Sequence, residues 1–374
     1  MARKITRDYP NVDKSIYPNP RDAFDIEEQG TTVDIPESQQ NGEGPEIINE
    51  ADGGATLDYN PMARAQETTF EANISEFLED DILNKLSSDL TKNYEDDKNS
   101  RSDWERTYTE GLDLLGFKYE ERAKPFTGAT GVTHPLLAEA VTQFQAQAYK
   151  ELLPPGGPVR AEIIGEGTPE IEQQAERVKD YMNYEITCTM QEFDPELDQM
   201  LFHLPLAGSS FKKIYYDAQL ERAVSRFVPA EDLIVPYLIS DLETCMRITH
   251  VVKMKENDLR KNQVSGFYRD VELQPTRAKI SDSKEKQDRI SGVDQVSFTE
   301  EEYNLLEMHV DLDIPGFEDM DDGNPTGIML PYIVTLDEDS GKILSIYRNW
   351  RQGDGSRKKK QYFTHYKFLP GLGF

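Results

Sequence analysis

The sequence predicts an α+β fold, with a helical N-terminal half followed by antiparallel β hairpins. Two observations carry this. Between Leu83 and Leu204, apolar residues recur at steps of three and four, the period of a helix with one buried face. After Pro205 the period falls to two, in short β-rich runs bounded by polar turns. The 374 residues allow two ordinary domains or one large elongated one.

Residues 1–70 predict a disordered or partner-ordered arm. The run NPRDAFDIEEQGTTVDIPESQQNGEGPEIINEADGGATLDYNP is rich in Gly, Pro, Asn and acids, and its scattered apolar residues bury too little surface to offset chain entropy. Residues 71–230 predict a helical region with a first hairpin. Leu83, Leu86, Leu90 and Tyr94 share one face, and Trp104, Tyr108, Leu112 and Leu115 another, with Gly116 as a stop. Leu136, Leu137, Ala140, Val141, Phe144, Ala148 and Leu152 trace a third, begun by Pro135 with Thr133 or His134 as cap. PPGGP at 154–158 ends it, since proline lacks the N–H and clashes with the preceding turn. Thr168-Pro169 opens the next helix, with Ile171, Ala175, Val178, Met182, Ile186 and Met190 as its stripe. Asp194-Pro195 opens the last, with Leu197, Leu201 and Leu204 facing inward. SSFKKIYYD and RAVSRFVP then flank a polar turn at Asp217–Glu221 and predict a hairpin.

Residues 231–374 predict a β-rich region with a charged, exposed insertion at 275–300. DLIVPY, MRITHVVKM and YNLLEMHVDLDI read as strands, with a short helix at ENDLRKNQ. YIVTL and KILSIY flank the turn DEDSG, and ILSIYRNW and KQYFTHYKF flank the basic turn RQGDGSRKKK, predicting two further hairpins.

Composition limits the function. Seventy acidic against 41 basic residues give a net charge of −29, which disfavours loose binding to nucleic acid, membrane or any other polyanion. Cys188 and Cys245 form no CxxC pair, so neither a zinc knuckle nor a disulfide framework is expected, and a reducing compartment is favoured. No apolar run approaches a bilayer span, and the N-terminus lacks the apolar core of a signal peptide.

Five candidate sites arise. Gly128 and Gly131 precede a helix, but no Gly-Lys-Ser/Thr follows and GxGxxG is missing, so the glycines turn the chain rather than bind phosphate. Glu307, His309, Asp311 and Asp313 stand at two-residue steps and share one strand face, a set able to hold a divalent metal. The same pattern describes the solvent side of a half-buried strand. FEDMDDGNPTG fails the calcium-loop register at Gly323 and Leu330 and reads as an acidic turn. Arg357, Lys358, Lys359 and Lys360 are the strongest basic run, either a contact for nucleic acid or an acidic partner, or a solvated hairpin tip. Ser209 and Ser210 precede a strand, the wrong context for a nucleophile elbow, and His203 sits among apolar residues as a core histidine. No catalytic constellation emerges.

Several stretches in order resemble a known family. SRSDWERTYTEGLDLLGFKYEERAKPFTGATGVTHPLLAEAVTQFQAQAYKELLPPGGPVR, FDPELDQMLFHLPLAGSSFKKIYYD, ERAVSRFVPAEDLIVP and DLETCMRITHVV, followed by NDLRK and GFYRDVEL, resemble the portal proteins of tailed bacteriophages, those of short-tailed marine phages above all. The likeness covers residues 71 to 374. It implies an elongated subunit of a homo-oligomeric ring, usually of about twelve copies, at one capsid vertex of the virion. Double-stranded DNA passes through such a ring without sequence-specific contact, driven by a terminase motor, and capsid and tail or adaptor proteins dock on it. The resemblance implies a wing for residues 71–230 and a wing and clip for 231–374, with Arg357–Lys360 turned toward a partner. The family's stem and crown are expected to be absent from this chain. It implies no enzyme, cofactor or membrane contact, and assembly in host cytoplasm. The alternative of a different class is a metal-dependent phosphate-ester hydrolase built on the 307–313 strand face.

Overall fold

The computed structural model describes residues 69–115, 126–128, 134–217, 220–237, 239, 241–275, 302–321, 324–353 and 355–369, with the backbone of 46–49 and 55–58. The chain divides into two compact units, Met1–Tyr59 and Asn60–Phe374. It is α+β, combining helices with antiparallel sheets.

In the first unit, β1 (Glu46–Asn49) pairs antiparallel with β2 (Ala55–Asp58). This strand pair falls within residues 1–70, where the sequence predicts a disordered or partner-ordered arm. Two four-residue strands are too short to show a period, which is why the pattern hid it. The charged insertion expected at 275–300 lies, apart from Pro275, outside the described residues, as do Gly116, Gly131 and Thr133.

The second unit is layered. Its helices are α1 (Asp80–Ser100), α2 (Ser102–Leu114), α3 (Leu136–Leu152), α4 (Pro169–Tyr184) and α5 (Phe193–Ala207). Then come β3 (Ser209–Asp217), β4 (Arg222–Val228), β5 (Leu233–Ile234), β6 (Arg247–Lys255) and α6 (Glu256–Val264). The remaining strands are β7 (Glu302–Leu312), β8 (Met320–Asp321), β9 (Asn324–Pro325), β10 (Leu330–Asp337), β11 (Ile343–Arg348) and β12 (Phe363–Lys367). One sheet has the order β11-β10-β7-β6-β5, the other β12-β3-β4. β8 and β9 pair with each other as a separate two-stranded sheet among the described residues.

The largest core lies between α1 and the five-stranded sheet, where Leu83, Leu90 and Tyr94 meet Met308, Val310, Tyr332 and Val334. Each such side chain contributes about 1.5–3 kcal/mol on burial, so packing rather than propensity fixes α1. The opposite face of that sheet meets the three-stranded sheet, with Phe211, Val228, Ile248 and Phe363 between them. Beyond it, α5 places Leu197, Met200 and Leu201 against Phe144 of α3 and Phe227 of β4. α2 closes the side, with Tyr108 and Leu112 packed against Val141 and Phe202.

Polar side chains protect the sheet edges. The Asn73 amide donates to Leu344 O (3.1 Å) and its carbonyl accepts from Ile346 N (3.0 Å), covering the β11 edge. Glu196 accepts from Phe227 N (2.7 Å) and Glu192 from Ser225 N (3.3 Å) on β4. Arg101, between α1 and α2, donates to Ala230 O (2.7 Å), Glu231 O (2.5 Å) and Leu233 O (3.1 Å) beside β5. Gly208 ends α5 at φ 77°, a left-handed turn that glycine takes without strain and that leads directly into β3.

Some expected details differ. The segment RQGDGSRKKK does not close a hairpin: β11 belongs to one sheet and β12 to the other, so residues 349–362 cross between sheets. Asp194 does not cap α5; Glu192 holds that position, and Asp194 accepts from the Tyr149 hydroxyl (2.6 Å). Pro135 itself holds the cap position of α3, without a side-chain hydrogen bond. Thr168 does cap α4, accepting from Ile171 N (3.4 Å).

Candidate functional site

The strand face singled out in the sequence is not the solvent side of the sheet. Alternation along β7 sends Leu306, Met308 and Val310 to the α1 core and Glu307 and His309 to the other face. The three-stranded sheet covers that face. Lys213 of β3 donates to both carboxylate oxygens of Glu307 at 2.6 Å. His309 Nε2–H donates to Glu307 Oε1 at 2.9 Å. The ring of Phe363 lies edge-on to His309 at 5.2 Å and to His250 at 5.6 Å, and Tyr362 edge-on to His309 at 5.6 Å.

The electrostatics follow from these contacts. Burial alone would push the Glu307 carboxyl up, but the Lys213 ammonium and His309 outweigh it and hold the group well below the usual carboxylate range. Burial pushes the His309 imidazole down against the pull of Glu307. Burial, helped by Lys213, pushes His250 down to about 4. His365, stacked on Phe211 at 4.7 Å, is also pushed down to about 4 by burial and by Lys367. The cluster thus holds one carboxylate, one ammonium and neutral imidazoles at neutral pH.

This arrangement is suited to joining two sheets. Binding a metal at Glu307 would require displacing the Lys213 ammonium. Asp311 and Asp313 do not join the pair: Asp311 is partly buried, its carboxyl pushed up by burial, and Asp313 is exposed. Among the described residues, no group of three or more His, Cys, Asp or Glu is placed to hold a metal ion. The sequence reading missed Lys213, whose alternation within FKKIYY faces it inward beside Phe211.

The low histidine values predict an acid-labile fold. Below the ordinary histidine value of about 6.5, the unfolded chain binds more protons than the folded one. Stability is therefore full above that pH and falls as pH drops from about 6.5 toward 4. Urea unfolding at pH 7.5 and 4.5 checks this. The expected result is a lower midpoint at pH 4.5, with a His250→Asn variant losing less over the same interval.

The basic run divides between internal and exposed roles. Arg357 forms an ion pair with Asp319, and Lys359 donates to Cys245 O at 2.9 Å. Both anchor the crossover between β11 and β12. Among the described residues, the side chains of Arg351, Lys358 and Lys360 have no ion-pair or hydrogen-bond partner. The remaining sequence candidates are structural. His203 is buried between Phe202 and Phe227, its ring 5.5 Å from each. Ser209 and Ser210 are buried at the start of β3. Both cysteines are free, Cys188 exposed and Cys245 buried.

A third feature is a surface. No residue of α4 is buried. Its apolar stripe, which resembles a core stripe in sequence, faces outward: Ile171, Val178 and Met182 are 41, 49 and 44% exposed. Asn183 ties the preceding segment back to the helix, accepting from Val159 N (2.9 Å) and donating to Val159 O (3.2 Å). Five π-helical residues, Glu185–Thr189, join α4 to the turn before α5. Among the described residues, no helix is long and apolar enough to cross a membrane.

No protein-family model matches the chain, and no curated protein is significantly similar to it.

Proposed function

We propose that the chain is a portal subunit of a tailed bacteriophage, a non-enzymatic part of a ring at one capsid vertex. The ring conducts the genome during packaging and ejection, and the terminase motor and tail proteins dock on it. The observation that carries this reading is the ordered likeness of the stretches between Ser100 and Leu273 to portal sequences. Two physical features support it. A net charge of −29 repels a passing polyanion at the distances of a narrow channel, since screening acts over about 8–10 Å. Lys213 also neutralises the one strand face that offered metal chemistry, which leaves a binding and assembly role ahead of hydrolysis.

Solution mass measurement and negative-stain imaging of the full chain test the proposal. The expected result is a closed ring of about twelve copies, the closed symmetry that a head-to-tail contact generates. A strictly monomeric species under every assembly condition overturns it.

A further inference from the structure

We infer that α4 and the segment before it form a docking arm, and that its occupant is the basic crossover between β11 and β12 of a second copy of this chain. The inference rests on the ring reading and names the surfaces that would close the ring.

The arm has the pattern of an interface helix without its partner. Ile171, Val178 and Met182 recur at helical spacing on one face, Tyr181 and Tyr184 flank them, and all five are exposed. An exposed apolar stripe of this kind marks an interaction surface, and aromatic residues are enriched at such surfaces. Thr168 and Pro169 nevertheless start the helix cleanly, and Asn183 fixes the chain beside it. The arm is thus ordered before it docks, which lowers the entropic cost of association.

Charge selects the occupant. From Ala161 to Glu185 the arm carries seven acids against two bases. The same chain offers a complementary surface. In the crossover, the side chains of Arg351, Lys358 and Lys360 have no ion-pair or hydrogen-bond partner among the described residues. Apolar side chains border it. Met246 is exposed next to Cys245, whose carbonyl holds Lys359. Ile328 and Met329 are exposed beside Thr326, which donates to Asp319, the partner of Arg357. An acidic, apolar arm therefore matches a basic surface with an apolar rim.

The two surfaces differ, so their contact is head-to-tail. Repeated from copy to copy, such a contact closes a ring when the rotation permits it.

Two experiments on the full chain test this. In a Cys188→Ser background, Val178→Cys protein is mixed with Lys358→Cys protein under mild oxidation. The expected product is a disulfide-linked dimer of one chain of each kind, and a chain carrying both substitutions gives a ladder of linked multimers. Separately, Val178→Glu/Met182→Glu is expected to fold as the wild type does, because neither side chain is buried, and to need at least tenfold more protein to assemble. Rings that form unchanged in this variant, or that give no cross-link, overturn the inference and leave the portal reading standing. A wild-type chain that never self-associates overturns both. Cross-linked assemblies that are not closed rings support the arm and overturn the portal reading.

Discussion

Replacing Lys213 with methionine is expected to destabilise the fold by about 3 kcal/mol, because it leaves the Glu307 carboxylate between two sheets with only His309 as a donor. The loss is one of uncompensated charge more than of a lost contact. Adding Glu307→Gln to Lys213→Met is therefore expected to recover most of it, since the amide oxygen still accepts from His309. The pH dependence separates this account from a packing defect. Without Lys213, burial raises the Glu307 pKa in the folded state above its unfolded value of about 4.3, so acidification below the new value favours the folded state. The single variant should thus lose less stability between pH 7.5 and 4.5 than the wild type. Urea unfolding of the wild type and both variants at the two pH values measures each difference. A single variant as stable as the wild type at pH 7.5 would show that the pair carries no net load.

The second large effect is expected at Asp97. It is buried near the end of α1 and accepts from Arg247 Nε (2.5 Å) and Nη2 (2.7 Å) at the start of β6. The bidentate hydrogen bond to Asp97 raises the Arg247 pKa in the wild type. Without the carboxylate the guanidinium still stays charged, because arginine does not deprotonate near neutral pH. Asp97→Ala is expected to cost about 2–3 kcal/mol, and Asp97→Asn less, because one acceptor remains. The Arg247 side chain keeps partial access to water, which limits the loss below that of a sealed pair. Denaturant midpoints of the two variants check the order.

The helices were the most legible part of the sequence. Their three-and-four spacing reports a buried stripe directly, and Leu83, Leu90, Tyr94, Leu197, Leu201 and Leu204 are buried as that spacing requires. The β10–β11 hairpin was equally visible, because DEDSG supplies its turn locally. What failed was anything decided by a distant partner. The alternation of β7 reports a polar face but not the second sheet that covers it. The pairs Lys213–Glu307 and Asp97–Arg247 join residues far apart in sequence, and a charged residue shows no sign of its partner until the chain folds. The α4 stripe matches a core stripe letter for letter, yet it lies exposed, because period reports amphipathicity and not what covers it. The basic run looked like a hairpin tip because two strands flank it, and only sheet membership shows that it bridges two layers.

The strand order β12-β3-β4 has a consequence for biosynthesis. The β3–β4 hairpin leaves the ribosome early, but the edge beside β3 stays open until residues 363–367 emerge. Closing that loop over so many residues is entropically slow, and an open edge meanwhile invites foreign strands. Maturation of this layer thus waits on the last described strand, so the nascent polypeptide passes through a vulnerable stage in which a chaperone, or simply rapid completion of translation, guards against misassembly.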